Sequence, residues 1–209
     1  MPTPTPDARD RFTGRVDDYV RARPGYPAAI VDDLAAAGIL APGAVVADIG
    51  SGTGISSALF LAAGHEVVGV EPNAPMRAAA EASLARYPLF RSLPGSAEAT
   101  GLPDGSVDLV VAAQAFHWFD AARTRTEFRR ILTDPGWVAL IWNARRSSGT
   151  PFLAAYEALL LAFGTDYAQV GHRGVGAERL APFFGGGWET RRYENAQELD
   201  FEGLRSRLL

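Results

Sequence analysis

An acid and three glycines crowd one turn of this chain. The run Val46-Ala47-Asp48-Ile49-Gly50-Ser51-Gly52-Thr53-Gly54 ends an apolar stretch at 44–49, and a second apolar stretch at 55–63, stopped by Gly64, follows it. The first stretch reads as a buried strand and the second as a helix, so the glycines stand at a strand-to-helix turn, where open α/β sheets bind their ligands. Glycine there lets the backbone approach a ligand closely. Glu71 comes 23 residues after Asp48 and closes another apolar strand at 66–71. An acid at that place can accept both hydroxyls of a ribose.

The spacing separates two ligand classes. The dinucleotide fingerprint G-x-G-x-x-G wants glycine at position 55, where this chain has Ile55, and Asp48 precedes the first glycine by two residues. A pyrophosphate has no use for a carboxylate there, because an anion wants amide donors and the positive end of a helix dipole. A cationic ligand does. A nicotinamide-dependent oxidoreductase is therefore the disfavoured reading.

The pattern D-x-G-x-G-x-G followed by an acid after the next strand resembles the class I S-adenosylmethionine (SAM) dependent methyltransferases, whose cofactor carries an ammonium and a sulfonium. Further motifs carry the likeness. Gly95-Ser96-Ala97-Glu98, then Leu102-Pro103-Asp104-Gly105-Ser106-Val107-Asp108-Leu109-Val110-Val111, resembles the third-strand loop and fourth strand of the family's small-molecule branch. Gln114-Ala115-Phe116-His117-Trp118-Phe119-Asp120 is similar to the loop after that strand. Tyr19-Val20-Arg21-Ala22-Arg23-Pro24-Gly25-Tyr26-Pro27 is similar to the leading segment of the same branch, which includes relatives of trans-aconitate methyltransferase. The likeness spans residues 12–142.

That resemblance implies SAM as cofactor, S-adenosylhomocysteine as its product and a small molecule as methyl acceptor. It implies a turn of Gly50, Ser51, Gly52, Thr53 and Gly54 against the methionine and ribose portions, with the Gly50 carbonyl and the Asp48 carboxylate near the ammonium. Glu71 takes the ribose hydroxyls, and Pro72 and Asn73 flank the adenine. Ala97 and Glu98 fall where the family contacts adenine, and Ser96 stands where an acid is common, so that contact is lost or passes to Glu98. Gln114 leaves the fourth strand toward the crevice, followed by His117, which with an unperturbed pKa near about 6.5 is the candidate base. The alternative for His117 is packing around the cofactor. Tyr19, Arg23 and Tyr26 either pin the leading segment to the domain or close over the cofactor, where the Arg23 fork suits a carboxylate. Transfer from a sulfonium is an in-line displacement, so the protein's task is orientation, worth roughly 7 to 11 kcal/mol in favourable cases. A catalytically silent SAM-binding or scaffold protein is the rival reading.

The composition bounds these readings. At 209 residues without a compositional break the chain reads as one α/β domain. A formal charge of −4 gives no electrostatic footprint for nucleic acid. There is no cysteine, hence no disulfide framework and no thiolate metal site, in keeping with a reducing cytoplasm. No His/Asp cluster shows metal-ligand spacing, no apolar run is long enough to span a membrane and no signal peptide is visible, so a cytoplasmic protein is expected.

The elements that position these residues alternate regularly. Residues 1–11, with prolines at 2, 4 and 6, are expected to be a disordered tail, and 12–209 a single methyltransferase domain with a cap at 12–38 and an insertion or lid at 144–186. Strands are expected at 44–49, 66–71, 89–93, 107–113 and 136–142, with helices between them and Asp120 capping one that ends near 132. This β-α-β order demands a Rossmann-like, doubly wound, mainly parallel sheet with helices on both faces. Helices are expected at 151–163, up to 184 and from 201, a glycine-bearing mobile stretch at 164–176 and a sixth strand at 188–194. The last antiparallel strand of the family is not found, which predicts that a second copy or a further C-terminal segment completes the sheet. His65 is expected to be exposed, and Arg123, Arg125, Arg129 and Arg130 to form a solvated face.

Overall fold

The computed structural model describes residues 23–164 and 176–208. Tyr19, the tail, most of the leading segment and the core of the 164–176 stretch lie outside the described residues. Five parallel strands, β1 (Val45–Ile49), β2 (Glu66–Val70), β3 (Phe90–Leu93), β4 (Val107–Ala113) and β5 (Leu132–Ile141), form one sheet in the order β3-β2-β1-β4-β5. The order reverses between β1 and β4, which opens a crevice at the carboxyl ends of those strands. Seven α-helices are seen among the described residues: α1 (Ala29–Ala36), α2 (Ile55–Ala62), α3 (Ala74–Ser83), α4 (Ala121–Ile131), α5 (Pro151–Phe163), α6 (Ala177–Phe184) and α7 (Phe201–Leu208).

Alternation along the strands sends side chains to two cores. Val46, Val67, Leu109 and Val111 pack with Val31 of α1, Phe60 and Leu61 of α2, and Leu84 just past α3. Ala47, Ile49, Val68, Val70 and Val110 pack with Phe128 and Ile131 of α4 and Phe183 of α6. Phe60, Phe116 and Phe128 are buried to 1% exposure or less, each contributing about 1.5 to 3 kcal/mol of apolar burial. The doubly wound, Rossmann-like class is thus the observed one, with helices on both faces. Asp48 alternates with Ala47 and Ile49, so it shares the face of Val46, beneath α2.

Three expectations are corrected. Residues 188–194 form no strand: the Tyr193 hydroxyl donates to Asp33 Oδ2 at 2.9 Å and Arg191 Nη1 to the Asp33 carbonyl at 3.4 Å, so this segment is drawn onto α1 instead of joining a ladder. His65 is buried, because the turn that ends α2 folds under, with the His65 amide donating to the Phe60 carbonyl at 3.2 Å. The arginine face of α4 is only partly solvated, since Arg130 pairs with Glu127 at 2.7 Å and Asp104 at 2.5 Å. Among the described residues no antiparallel strand closes the sheet, and β5 is an edge.

Candidate active site

The glycine turn is shaped by what lies on each side of it. Gly50 has φ +70°, and a Cβ there would meet Ala115 Cβ at 2.8 Å; Gly54 has φ +84°, and a Cβ there would meet Leu84 Cδ1 at 2.6 Å. Both positions therefore exclude side chains through conformation and space together. Four of the turn's amides are consumed internally. The Gly50 and Ser51 amides donate to the Val70 carbonyl at 2.8 and 3.3 Å, Gly54 donates to the Ser51 carbonyl at 2.9 Å, and Gly52 donates to Glu71 Oε2 at 3.1 Å.

Two carboxyls lie under and beside this turn. Asp48 is fully buried, and its Oδ2 accepts from the Ser56 and Ser57 hydroxyls, each at 2.7 Å. Its Oδ1 is buried and has no hydrogen-bond partner among the described residues, and the same holds for Thr53 Oγ1. Burial raises the Asp48 carboxyl to about 6, the serine hydroxyls pulling against that rise and the charge of Glu71 adding to it. Glu71 is 9% exposed and its Oε1 accepts from the Asn73 amide at 2.9 Å. Burial pushes its carboxyl up as well, against the Asn73 and Gly52 amides and Arg77. Arg77 Nη1 donates to the carbonyls of Glu71 and Pro72 at 2.7 and 2.9 Å, which fixes the turn into α3.

The other expected site residues gather at the carboxyl ends of β3 and β4. Ala97 is buried; Ser96 and Ala99 bridge each other across a tight turn. Glu98 is turned toward α4, its Oε1 accepting from the Asp120 amide at 3.0 Å. Burial alone would raise that carboxyl, but the Asp120 amide, the Ser96 hydroxyl and Arg123 hold it below its ordinary value. Its protein bonds are thus already made at the loop's own junction. Gln114 adopts φ +55°, a left-handed conformation uncommon for a side-chain-bearing residue and concentrated at functional sites. Its amide donates to the Ile141 carbonyl at 2.9 Å and its Nε2 to the Asn143 carbonyl at 3.4 Å. His117 follows on a single 3₁₀ turn (Phe116–Trp118), half-buried, its ring 4.7 Å from that of Trp118. Arg23 is exposed at the start of the described residues, and Pro72 is exposed beside Glu71.

Several residues that spacing did not reveal complete the site. Ser56 and Ser57 hold Asp48, and Arg77 holds the Glu71 turn. Arg179 of α6 reaches over the Phe116 ring, its guanidinium carbon 5.4 Å from the centroid, and donates to the carbonyls of Phe119 at 3.1 Å and His117 at 3.4 Å. Asn195 Nδ2 donates to the Gly25 carbonyl at 3.0 Å and to Asn143 Oδ1 at 2.9 Å, tying the chain before α1 to the end of β5. The one local signal was a pair of serines in the first turn of a helix that follows an acid. A separate cavity of about 290 Å³, with Ala44, Asp108 and Trp137 in its lining, lies at the opposite ends of the strands and contains none of these groups. Among the described residues no group of three or more His, Asp or Glu could hold a metal.

Residues 47–140, the span from β1 to β5 that carries the glycine turn and Glu71, match the family model for a methyltransferase domain. This span is a methyltransferase domain. An uncharacterized methyltransferase of Mycobacterium tuberculosis is 39% identical over 134 residues, which is 64% of this chain and 52% of that protein. A methyltransferase-like protein of Schizosaccharomyces pombe is 33% identical over 156 residues, 74% of this chain and 59% of that one. The chain thus spans roughly half the length of the curated relatives it matches. Among solved structures, a candidate methyltransferase from an antibiotic biosynthesis pathway of Anabaena variabilis is 32% identical with TM-score 0.51, covering 68% of this chain and 55% of the other. A candidate SAM-dependent methyltransferase of Methanococcus maripaludis, at 20% identity and TM-score 0.58 over 84% and 78% of the two chains, shares the fold.

SAM is the cofactor of this family, and the residues present fit it. An acceptor atom without a partner among the described residues, Asp48 Oδ1, is buried under a turn flanked by a second carboxyl, which suits a cationic group and opposes an anionic one.

Proposed function

We propose that this chain transfers a methyl group from SAM to a small-molecule acceptor. The observation that carries the reading is the polarity of the glycine turn. The Gly50, Ser51, Gly52 and Gly54 amides all donate within the protein, while among the described residues one Asp48 carboxylate oxygen is uncommitted. A dinucleotide's pyrophosphate needs free amides, so the same geometry argues against a nicotinamide cofactor.

SAM bound there would supply a methyl carbon already activated by a sulfonium, and an acceptor oxygen, nitrogen or carbon would bond to it as the carbon–sulfur bond breaks toward sulfur. Asp48 and the Gly50 carbonyl would hold the ammonium end and Glu71 the ribose, with Pro72 and the Ser96-Ala97-Glu98 loop at the adenine. Glu71 keeps one further lone pair on each oxygen beyond its bonds to Gly52 and Asn73, enough for two hydroxyls. Gln114 would line the cofactor pocket, and His117 flanks the place for the acceptor and takes its proton where one must leave. Acceptor choice would rest with the cap and the insertion expected from the sequence, of which residues 12–22 and 165–175 lie outside the described residues. A cysteine-free chain of this kind suits the cytoplasm. The open edge of β5 accommodates a strand from a second copy or from elsewhere in a longer chain.

The test is an acceptor screen with methyl-labelled SAM, run beside equilibrium binding of S-adenosylhomocysteine. Labelled product from a small molecule supports the reading; tight cofactor binding with no transfer to any acceptor would favour a silent binding protein.

A further inference from the structure

We propose that Ser56 and Ser57 are positioning residues: their hydroxyls fix Asp48 through one carboxylate oxygen and so keep the other uncommitted beneath the glycine turn for the cationic end of the cofactor. The proposal rests on the cofactor placement given above and adds the two serines to it.

Three observations support it. First, the partition of bonds is one-sided. Both hydroxyls, at 2.7 Å, go to Oδ2, and none among the described residues goes to Oδ1, although both oxygens are buried. A carboxylate free to rotate in a pocket with two donors would share them between its oxygens; here α2 fixes which oxygen is saturated. Second, the serines are themselves buried, Ser57 completely and Ser56 to 5% exposure, so the donors have no solvent to turn to, and both donate to Asp48. Third, Asp48 stands on β1 where its register partners, Gly69 of β2 and Val111 of β4, carry no charge, and α2 carries none along Ile55–Ala62. The charged group that bears on it is Glu71 at the end of β2, which opposes ionisation, while the nearby Arg77 is engaged with the Glu71 and Pro72 carbonyls. The serine hydroxyls, with the Ser57 amide, are thus what favours the ionised form in an otherwise apolar setting. A neutral Asp48 would offer a cation a carbonyl acceptor but no opposite charge.

The geometry also explains why the fixed oxygen matters for position as well as charge. Ser56 and Ser57 lie in the first turn of α2, whose N-cap is Gly54, so Asp48 ties the strand before the glycine turn to the helix after it. The turn between them is held at both ends.

The experiment measures S-adenosylhomocysteine binding by calorimetry between about pH 5 and 9 for the parent, Ser56→Ala, Ser57→Ala, the double variant and Ser56→Thr, and follows the Asp48 carboxyl itself by carbon NMR in the cofactor-free protein. Each hydroxyl lost should move the midpoint of the Asp48 titration up by about one pH unit, because a hydrogen bond to a charged group is worth about that much. In the double variant binding at about pH 7 should therefore fall roughly tenfold or more and recover toward the parent as pH rises, while Ser56→Thr keeps the parent profile. An Asp48 titration unmoved in the alanine variants would overturn the proposal, as would binding weakened equally at every pH, which is what a merely structural role gives. Should the double variant fail to fold, the single variants decide by the same criteria. A parent that binds no S-adenosylhomocysteine while its Asp48 midpoint still answers to the serines would overturn the cofactor placement and, with it, the cofactor clause of this proposal.

Discussion

Glu71 holds the amide of Gly52 at 3.1 Å across 19 residues of chain, so the acid at the end of β2 fastens the turn at the end of β1. Its other oxygen accepts from Asn73 at 2.9 Å. One side chain thereby shapes the glycine turn and presents acceptors beside it. Replacing it by Ala should lower S-adenosylhomocysteine affinity at least about tenfold, since each charge-assisted hydrogen bond contributes roughly 1.5 to 3 kcal/mol. Glu71→Gln should also weaken binding, because its NH₂ must face either the Gly52 or the Asn73 donor. Amide hydrogen exchange at Gly52 should quicken in both variants. Calorimetry showing parent affinity in Glu71→Ala would remove the ribose from this position.

Asp48 couples stability to pH in the sense opposite to most carboxylates. Its carboxyl lies at about 6 in the folded protein against an ordinary 3.8, so between those values the folded state binds more protons than the unfolded one, and stability falls as pH rises through that window. Above it the cost of the buried charge is fully present, about 3 kcal/mol. Asp48→Asn should accordingly melt higher than the parent at about pH 7.5 and no higher near about pH 4, while losing cofactor affinity. A variant less stable than the parent at neutral pH would refute the linkage.

Glu127 runs the other way. Its carboxyl is held down to about 2, chiefly by Arg130 and then, against the cost of burial, by Thr100. Its Oε1 accepts from the Thr100 amide at 2.8 Å and hydroxyl at 2.6 Å, which fastens the loop after β3 to α4. A depressed acid contributes stability present above its unfolded value of 4.5 and lost as pH falls through about 2. Glu127→Leu should cost roughly 1 to 3 kcal/mol by leaving the buried Thr100 amide without a partner, and denaturant titrations should show the gap to the parent narrowing in acid over that window. An unchanged gap from neutral pH down through that window would mean Glu127 acts by packing alone.

Local patterns made the strands and the crevice legible, and through-space partners made the rest invisible. The helix at Pro151–Phe163 starts where Thr150 accepts from the Leu153 amide with proline in the first turn, a signal written in adjacent residues. The continuous apolar run of β4 reads directly as a doubly covered strand. Residues 188–194 carry strand-forming types, yet Asp33, some 160 residues away, captures Tyr193, and no local pattern encodes that competition. The same holds at the site. Asp48, the glycines and Glu71 stand in a recognisable order, whereas Arg179 and Asn195 reach it from distant segments, through contacts that a single sequence does not display.

His117 and Arg179 supply the last prediction. The 3₁₀ turn carrying His117 has three carbonyls in reach of one guanidinium, those of Phe116, His117 and Phe119 at 3.5, 3.4 and 3.1 Å, so Arg179 sets where the imidazole stands through the backbone that carries it. If His117 removes the acceptor's proton, His117→Ala should cut turnover about 10² to 10⁴ while S-adenosylhomocysteine affinity stays nearly unchanged. Arg179→Met, which keeps bulk over Phe116 and removes the donors, should slow the parent but add little to His117→Ala, because two residues serving one function are not additive. Turnover and calorimetry on the four proteins of this cycle decide the matter: cofactor affinity lost in proportion to activity would put His117 in the cofactor pocket, and fully additive losses would detach Arg179 from it.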